Sequence, residues 1–82
     1  MSYREIRALL KRVAAGGDPE RIPEGASLLT SGVIDSLAMV QLVTALESAY
    51  GIAILEDELV PEHFDSVRAI AAFVDTKRRG AP

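Results

Sequence analysis

Apolar side chains recur at helical spacing in three stretches of the chain. In the first stretch they stand at positions i, i+3, i+4 and i+7, as Ile6, Leu9, Leu10 and Val13. This spacing forms one face of an α-helix. Ser2-Tyr3-Arg4-Glu5 has the order of a capping box, and Gly16-Gly17 is typical of a helix end. The pattern predicts a first helix over residues 3–15.

The second stretch carries more apolar residues than one helix face can hold. Asp35 is a good N-cap, so Ser36 is expected at the first helical position of a helix over residues 36–50, which Gly51 ends. One face is expected to fill the core, with Met39, Leu42, Val43, Leu46 and Tyr50. A second face carries Leu37, Val40 and Thr44, beside Gln41, Glu47 and Ser48. Its apolar side chains stay in water unless a partner covers them.

The last third of the chain predicts a short helix and a longer one. The acidic residues of 55–60 suggest a single helical turn that Pro61 stops. Asp65-Ser66 caps a last helix over residues 66–79, which Gly80 ends. The core stripe of this helix is expected to be Val67, Ile70, Ala71 and Val74, with Phe73 at its edge.

A long connection over residues 16–35 joins the first two helices, and its turn signals include Asp18-Pro19. We expect a helical turn at residues 26–29, with Leu28 or Leu29 anchored on the core and Val33-Ile34 turned inward. The predicted fold is therefore all-α: a small four-helix bundle, with three main helices and a short third one, in a single domain over residues 1–82.

Composition and charge narrow the possible functions. The chain has 82 residues, a net charge of −3 and no cysteine. An acidic chain is a poor partner for nucleic acid or for an anionic membrane surface. No stretch is long enough to span a membrane, and the first residues lack the apolar segment of a signal peptide. We expect a monomeric protein in the cytoplasm.

Few residues offer chemistry of their own. Ser36 would need a base to act as a nucleophile, and the sole histidine, His63, is expected to face solvent or pack in a loop. Glu56-Asp57-Glu58 lacks the spacing of a calcium loop, and Gly16-Gly17 lacks the continuation of a phosphate loop. We therefore expect no catalytic residue and no metal site. At a helix N-terminus, however, Ser36 is well placed to carry a phosphate ester that a partner enzyme adds.

Asp35-Ser36-Leu37 resembles the Asp-Ser-Leu signature of acyl and peptidyl carrier proteins. Further similarities follow in order along nearly the whole chain: the long loop, the pattern from Leu42 to Ile52, the acidic turn and the ending from Phe64 to Ile70. In that family the serine is esterified with 4′-phosphopantetheine from coenzyme A. The thiol of this arm holds acyl or aminoacyl groups as thioesters and presents them to enzymes, while the carrier catalyses nothing.

The resemblance also implies roles for individual residues. Ser36 would be the attachment point, and Asp35 would help a phosphopantetheinyl transferase to position it, together with a magnesium ion of the transient complex. Leu37, Val40 and Thr44 would form the docking stripe, with Glu47 as a charged contact at its end. The other partners would be a ligase that loads the acyl or aminoacyl group and the enzymes that process it.

Departures from the family pattern favour a stand-alone carrier of a specialised pathway. The carriers of fatty-acid synthesis usually have a strongly acidic second helix, whereas the face that includes Ala38, Val40 and Ala49 has one acidic residue, Glu47. Gly32 stands three residues before Asp35, which resembles free-standing carriers loaded by adenylating ligases. The alternatives are a housekeeping fatty-acid carrier and, from another class, a helical interaction module with Ser36 as a phosphorylation site.

Overall fold

Four α-helices make up the computed structural model of the chain, which describes residues 3–79. They are α1 (Tyr3–Val13), α2 (Ser36–Tyr50), α3 (Pro61–Phe64) and α4 (Val67–Arg78), with a 3₁₀ turn at Glu56–Glu58. This part of the chain contains no strand, so the all-α prediction is confirmed. The capping role expected of Ser2 and the helix end expected at Gly80 lie outside the described residues.

Helix α1 ends at Val13, two residues before the predicted end. The Ala15 amide donates to the carbonyl oxygen of Val33 at 2.8 Å, so it is not used in the helical ladder of α1. Gly17 then takes a φ of 70°, a left-handed conformation that glycine adopts without a steric penalty. A hydrogen bond to the loop before α2 therefore replaces the last helical bond that the sequence predicts for α1.

The core lies between α1, α2 and α4 and is mostly aliphatic. Its helical members are Ile6, Leu9, Leu10, Ala38, Leu42, Leu46, Phe64, Val67, Ile70, Ala71, Phe73 and Val74. The core face predicted for α2 is present, since Leu42 and Leu46 are fully buried and Met39, Val43 and Tyr50 pack partly buried against the core.

Two residues expected outside the core lie within it. Phe73 was expected at the edge of α4 but is buried, because its ring packs at 5.2 Å from that of Phe64 in an edge-to-face pair. Ala38 was expected on the docking side of α2 but is 3% exposed. It lies one helical turn before Leu42, which places it on the inner side of the helix.

Helix α1 runs antiparallel to α2. At one end of the pair the Tyr50 hydroxyl donates to Oε1 of Glu5 at 3.2 Å, and at the other Ala15 meets Val33. The end of α1 therefore lies beside the start of α2, where Ser36 is found.

Pro61 begins a helix rather than only ending one. The predicted helix over residues 55–60 is a 3₁₀ turn of three residues, and α3 starts at Pro61 as its first residue. Proline suits this position because its fixed φ matches the helix and its missing N–H is one that no helix would use there. The short helix of the bundle therefore begins six residues later than the sequence suggested.

The long connection is fixed to the bundle by a buried side chain and by an arginine. Leu28 is fully buried, whereas Leu29 is 38% exposed, so the anchor expected at one of the two is Leu28. Arg7 of α1 donates to the carbonyl oxygens of Pro19 and Ile22 at 2.9 and 2.6 Å. The connection thus keeps a defined path over the surface of the bundle.

Candidate functional site

The loop before α2 is held from both sides, and this fixes the position of the next residues. Val33 and Ile34 are 1% and 2% exposed, in agreement with the prediction that they turn inward. The Ile34 amide donates to the carbonyl oxygen of Leu28 at 3.1 Å, next to the bond between Ala15 and Val33. Helix α2 therefore starts at a defined place on the surface.

Asp35 caps this helix. Its backbone is extended, and Oδ1 of its carboxylate accepts from the Ala38 amide at 2.8 Å. The backbone carbonyl of Asp35 accepts from the Met39 amide at 2.8 Å, which is the first bond of the helical ladder. The side chain has thus satisfied one of the helix-start amides that would otherwise lack a partner.

Ser36 is the first residue of α2 and is exposed. Within residues 3–79, neither its amide nor the Leu37 amide donates to a protein acceptor. Free amides at a helix start, together with the helix dipole, favour a bound anion. The surroundings of Ser36 therefore fit a phosphate ester on its hydroxyl, which has open solvent for the rest of the group.

An exposed apolar stripe continues from Ser36 along α2. Leu37 is 67% and Val40 62% exposed, and Thr44 is exposed with its hydroxyl turned to the Val40 carbonyl at 3.3 Å. Side chains of this size rarely stay in water on such a scale without a partner. These are the three residues that the sequence placed on a docking stripe. Their part in docking stays a prediction.

The 3₁₀ turn adds apolar residues that the sequence analysis did not assign to the site. Leu55 is 57% and Leu59 48% exposed. Leu59 lines a cavity of about 160 Å³ together with Met39, Val60, Pro61 and Phe64. This cavity places the segment directly after the turn beside Met39, in the first half of α2. The exposure of Leu55 depends on how the chain folds around it, so it could not be predicted from a short apolar run in the sequence.

Glu47 has a structural partner. Its Oε2 accepts from the Ile54 amide at 2.9 Å, and the side chain is half-buried. The carboxylate therefore holds the connection after α2, which the sequence did not predict. The role expected of Glu47 as a charged contact for partners stays a prediction, which this hydrogen bond does not test.

Exposed acidic side chains lie on the segments that follow α2 rather than on the stripe. Glu56 and Asp57 are exposed on the 3₁₀ turn, and Glu62 is exposed on α3. The expectation of a weakly charged second helix agrees with the structure, yet the segments beside that helix carry three exposed carboxylates. We call these three carboxylates the acidic border.

His63 is unsuited to serve Ser36 as a base. It lies in α3, not in a loop, and its ring stacks on that of Phe73 with centroids 4.6 Å apart. It forms no hydrogen bond with Ser36 in the described part of the chain. Among residues 3–79 no group of three His, Asp or Glu side chains is placed to hold a metal ion.

Comparisons with known proteins agree with this geometry. A family model described as "Phosphopantetheine attachment site" matches residues 4–74. A curated protein of Streptomyces lincolnensis, named Lincomycin biosynthesis protein LmbN, is 39% identical over 70 residues, which make up 85% of this chain. The chain spans about a quarter of the length of that relative, since the match covers 25% of it. None of the helices within residues 3–79 is long and apolar enough to cross a membrane.

Proposed function

Because the chain belongs to the phosphopantetheine-attachment family, whose domains are modified covalently with 4′-phosphopantetheine, we propose that Ser36 is the residue that carries this group. The observation behind the assignment is the exposed Ser36 hydroxyl at the first position of α2, beside two amides without protein acceptors. The group supplies a thiol that holds an acyl or aminoacyl unit as a thioester. The protein is then a carrier that presents this unit and catalyses no reaction itself.

Each neighbouring residue has a distinct task in this proposal. Asp35 holds the start of α2 through its bond to the Ala38 amide, and its second carboxylate oxygen remains available to the transferase. Free amides at the helix start favour the negative charge of the phosphate. The hydroxyl of Ser36 needs no base within the chain, because the transferase brings one.

Partner enzymes would bind the apolar stripe of Leu37, Val40 and Thr44 next to Ser36, extended by Leu55 and Leu59. The fitting partner has an apolar patch that meets the stripe and basic side chains that meet the acidic border. Charge at the rim of an interface mainly speeds association and selects partners, whereas apolar burial supplies affinity. The partners would include a transferase, a loading ligase and the enzymes that act on the loaded unit.

We further propose a specialised biosynthetic pathway rather than housekeeping fatty-acid synthesis. The similarity to a protein named for lincomycin biosynthesis supports this choice, as does the absence of acidic residues from the first turn of α2. The carrier would work as a monomer in the cytoplasm, loaded by an adenylating ligase. A housekeeping fatty-acid carrier remains the alternative, and capture of the loaded species by mass spectrometry decides between the two.

The test is the intact mass of the protein after incubation with coenzyme A and a broad-specificity phosphopantetheinyl transferase. We expect a mass gain of one phosphopantetheine that disappears in Ser36→Ala. The matched control is Ser48→Ala, an exposed serine on the same helix, which should gain the full mass. Folded protein without any gain would reject the proposal and favour an interaction module, for which phosphorylation of Ser36 would be the next measurement.

A further inference from the structure

The charges of this chain are segregated along the sequence. All nine lysine and arginine residues stand in residues 1–21 and 68–82, whereas residues 22–67 hold eight of the twelve acidic residues and no cation. The acidic part contains α2, the 3₁₀ turn and α3, and therefore Ser36 with its stripe. The cations belong to the segments of α1 and α4. A net charge of −3 conceals this separation.

An open groove lies where α1, α2 and α4 meet, at the end of α2 opposite Ser36. It has a volume of about 490 Å³ and is lined by Glu5, Ala8, Leu9, Arg12, Ala49, Tyr50 and Arg78. A 15-residue helix spans about 20 Å, so Ala49 and Tyr50 of the groove are about that far from the start of α2. Arg12, in the last turn of α1, is the lining residue nearest to that start. A molecule in the groove would leave Ser36 accessible.

The floor of the groove is apolar, because Ala8, Leu9 and Ala49 contribute only hydrocarbon. Ala8 and Ala49 are exposed, and their small side chains let another surface come close to both helix backbones. The groove therefore offers contact area to apolar side chains that approach from outside.

The walls of the groove carry two arginines and one glutamate, and therefore a net positive charge. Arg12 forms no hydrogen bond or ion pair within residues 3–79. The guanidinium of Arg78 lies over the Tyr50 ring, 5.4 Å from its centroid. The single carboxylate of the groove, Glu5, already accepts from the Tyr50 hydroxyl. Two arginines thus face one occupied carboxylate.

Basic residues in the last turn of a helix also complement the helix dipole, and both arginines are in such a position. That effect explains the sign of the charges. It does not require them to border a common apolar floor. The other cations near these helix ends have acidic partners, which are Glu20 for Lys11, Glu58 for Lys77 and Asp75 for Arg79. The groove arginines differ from them in having none.

We propose that this groove is a second docking surface, which binds an acidic amphipathic segment of a partner protein while Ser36 stays free for an enzyme. Carboxylates of the segment would pair with Arg12 and Arg78, and its apolar side chains would cover Ala8, Leu9 and Ala49. This surface is separate from the stripe on α2, whose acidic border suits partners of the opposite charge. The proposal goes beyond the carrier function and does not depend on modification of Ser36.

The test uses a synthetic helical peptide with glutamates on one face and leucines on the other, titrated into the ¹⁵N-labelled full chain. We expect amide shifts concentrated at Ala8, Arg12, Ala49 and Arg78, with little change around Ser36. The same peptide with glutamine in place of glutamate should bind at least about tenfold more weakly. Equal binding of both peptides, or shifts centred on the first half of α2 and on α3, would overturn the proposal.

Charge-reversal variants distinguish binding at the groove from a general effect of the net charge of the protein. Arg12→Glu with Arg78→Glu should weaken the acidic peptide by at least about tenfold, since like charges then face each other. Lys11→Glu with Arg79→Glu makes the same change of net charge on the same helix ends, and we expect less than about a threefold effect. An equal loss in both pairs would contradict a specific site. If the variant with both Arg12→Glu and Arg78→Glu does not fold, Arg12→Gln with Arg78→Gln replaces it in the test. The modification of Ser36 should be unchanged in every folded variant.

Discussion

The Ser27 hydroxyl donates to both carboxylate oxygens of Asp65, at 2.9 and 2.8 Å. Oδ1 of Asp65 also accepts from the Leu29 amide at 2.9 Å, and its backbone carbonyl accepts from the Leu28 amide at 2.7 Å. Asp65, which precedes the N-cap of α4, thus holds the middle of the loop that leads to Ser36. The sequence suggested only that Asp65-Ser66 caps the last helix, and Ser66 alone does so, through the Ala69 amide.

Asp65→Ala should lower the free energy of unfolding by about 2 kcal/mol, because the hydrogen bonds it removes involve a charged acceptor. Asp65→Asn keeps one side-chain oxygen as an acceptor and should cost about half as much. Chemical denaturation at neutral pH measures both, and a double-mutant cycle with Ser27→Ala isolates the bond between the two side chains. An alanine variant as stable as the parent would show that the bonds of Asp65 do not contribute to holding the loop.

Asp35 has two proposed roles that one pair of variants can separate. Asp35→Ala removes the cap of α2 and should cost about 1 kcal/mol of stability, whereas Asp35→Asn keeps a capping oxygen and should cost a few tenths. If the transferase uses the negative charge, both variants lose modification rate while only the alanine variant loses stability. An asparagine variant modified at the parental rate would reduce Asp35 to its capping role.

Val40→Asp should reduce modification or loading by at least about tenfold, since a partner would have to bury a new charge. Val40 is 62% exposed, so the unfolding free energy should change by less than about 0.5 kcal/mol. Ala72→Asp places the same charge at an exposed alanine of α4 and is expected to be processed normally. Equal loading of the parent and the Val40→Asp variant would remove this stripe from the docking surface.

Glu58 joins the 3₁₀ turn to α4, since its Oε1 lies 2.8 Å from both Nζ of Lys77 and the Leu55 amide. The hydrogen bond from Lys77, followed by that from Leu55, lowers the pKa of Glu58 below its ordinary value of 4.5. The folded state therefore binds a proton less readily than the unfolded state. The stabilisation is fully present above the ordinary pKa and disappears as the pH falls through the lowered one.

Glu58→Gln should flatten the acid limb of the curve of stability against pH. The hydrogen-exchange protection of the amides at residues 55–60, taken relative to an unstructured chain at the same pH, offers a second measure. We expect lower protection in the variant at neutral pH, and in the parent only at acid pH. Lys77→Met should reproduce the loss at neutral pH. A parent whose protection in this segment is the same at acid and at neutral pH would contradict the link.

The sequence predicted most of the main helices because each depends on local signals. Helix α2 begins after a capping aspartate and ends where Gly51 takes a φ of 64°, and both residue types are visible in the chain. Its exposed stripe was also predictable, since the apolar residues exceeded one face. The position of Ser36 followed from the cap beside it.

Features that depend on distant partners could not be read in this way. Phe73 is buried because its ring packs against that of Phe64, which lies on another helix. Asp65 accepts a hydrogen bond from Ser27, which is 38 positions away in the sequence. Leu55 and Leu59 are exposed although short apolar runs usually indicate core. Pro61 was interpreted as a stop because proline ends helices, yet the same ring suits a first position, and local sequence does not decide between the two.

The contacts of Arg7 have a consequence for how this protein can diverge. Its guanidinium holds the carbonyl oxygens of Pro19 and Ile22, atoms that every amino acid provides, and the intervening Glu20 and Arg21 are exposed. The two hydrogen bonds of Arg7 therefore do not depend on which residues stand at positions 20 and 21. Related chains could vary this stretch, and a designer could graft an epitope or a label into it, while the loop kept its path to Ser36.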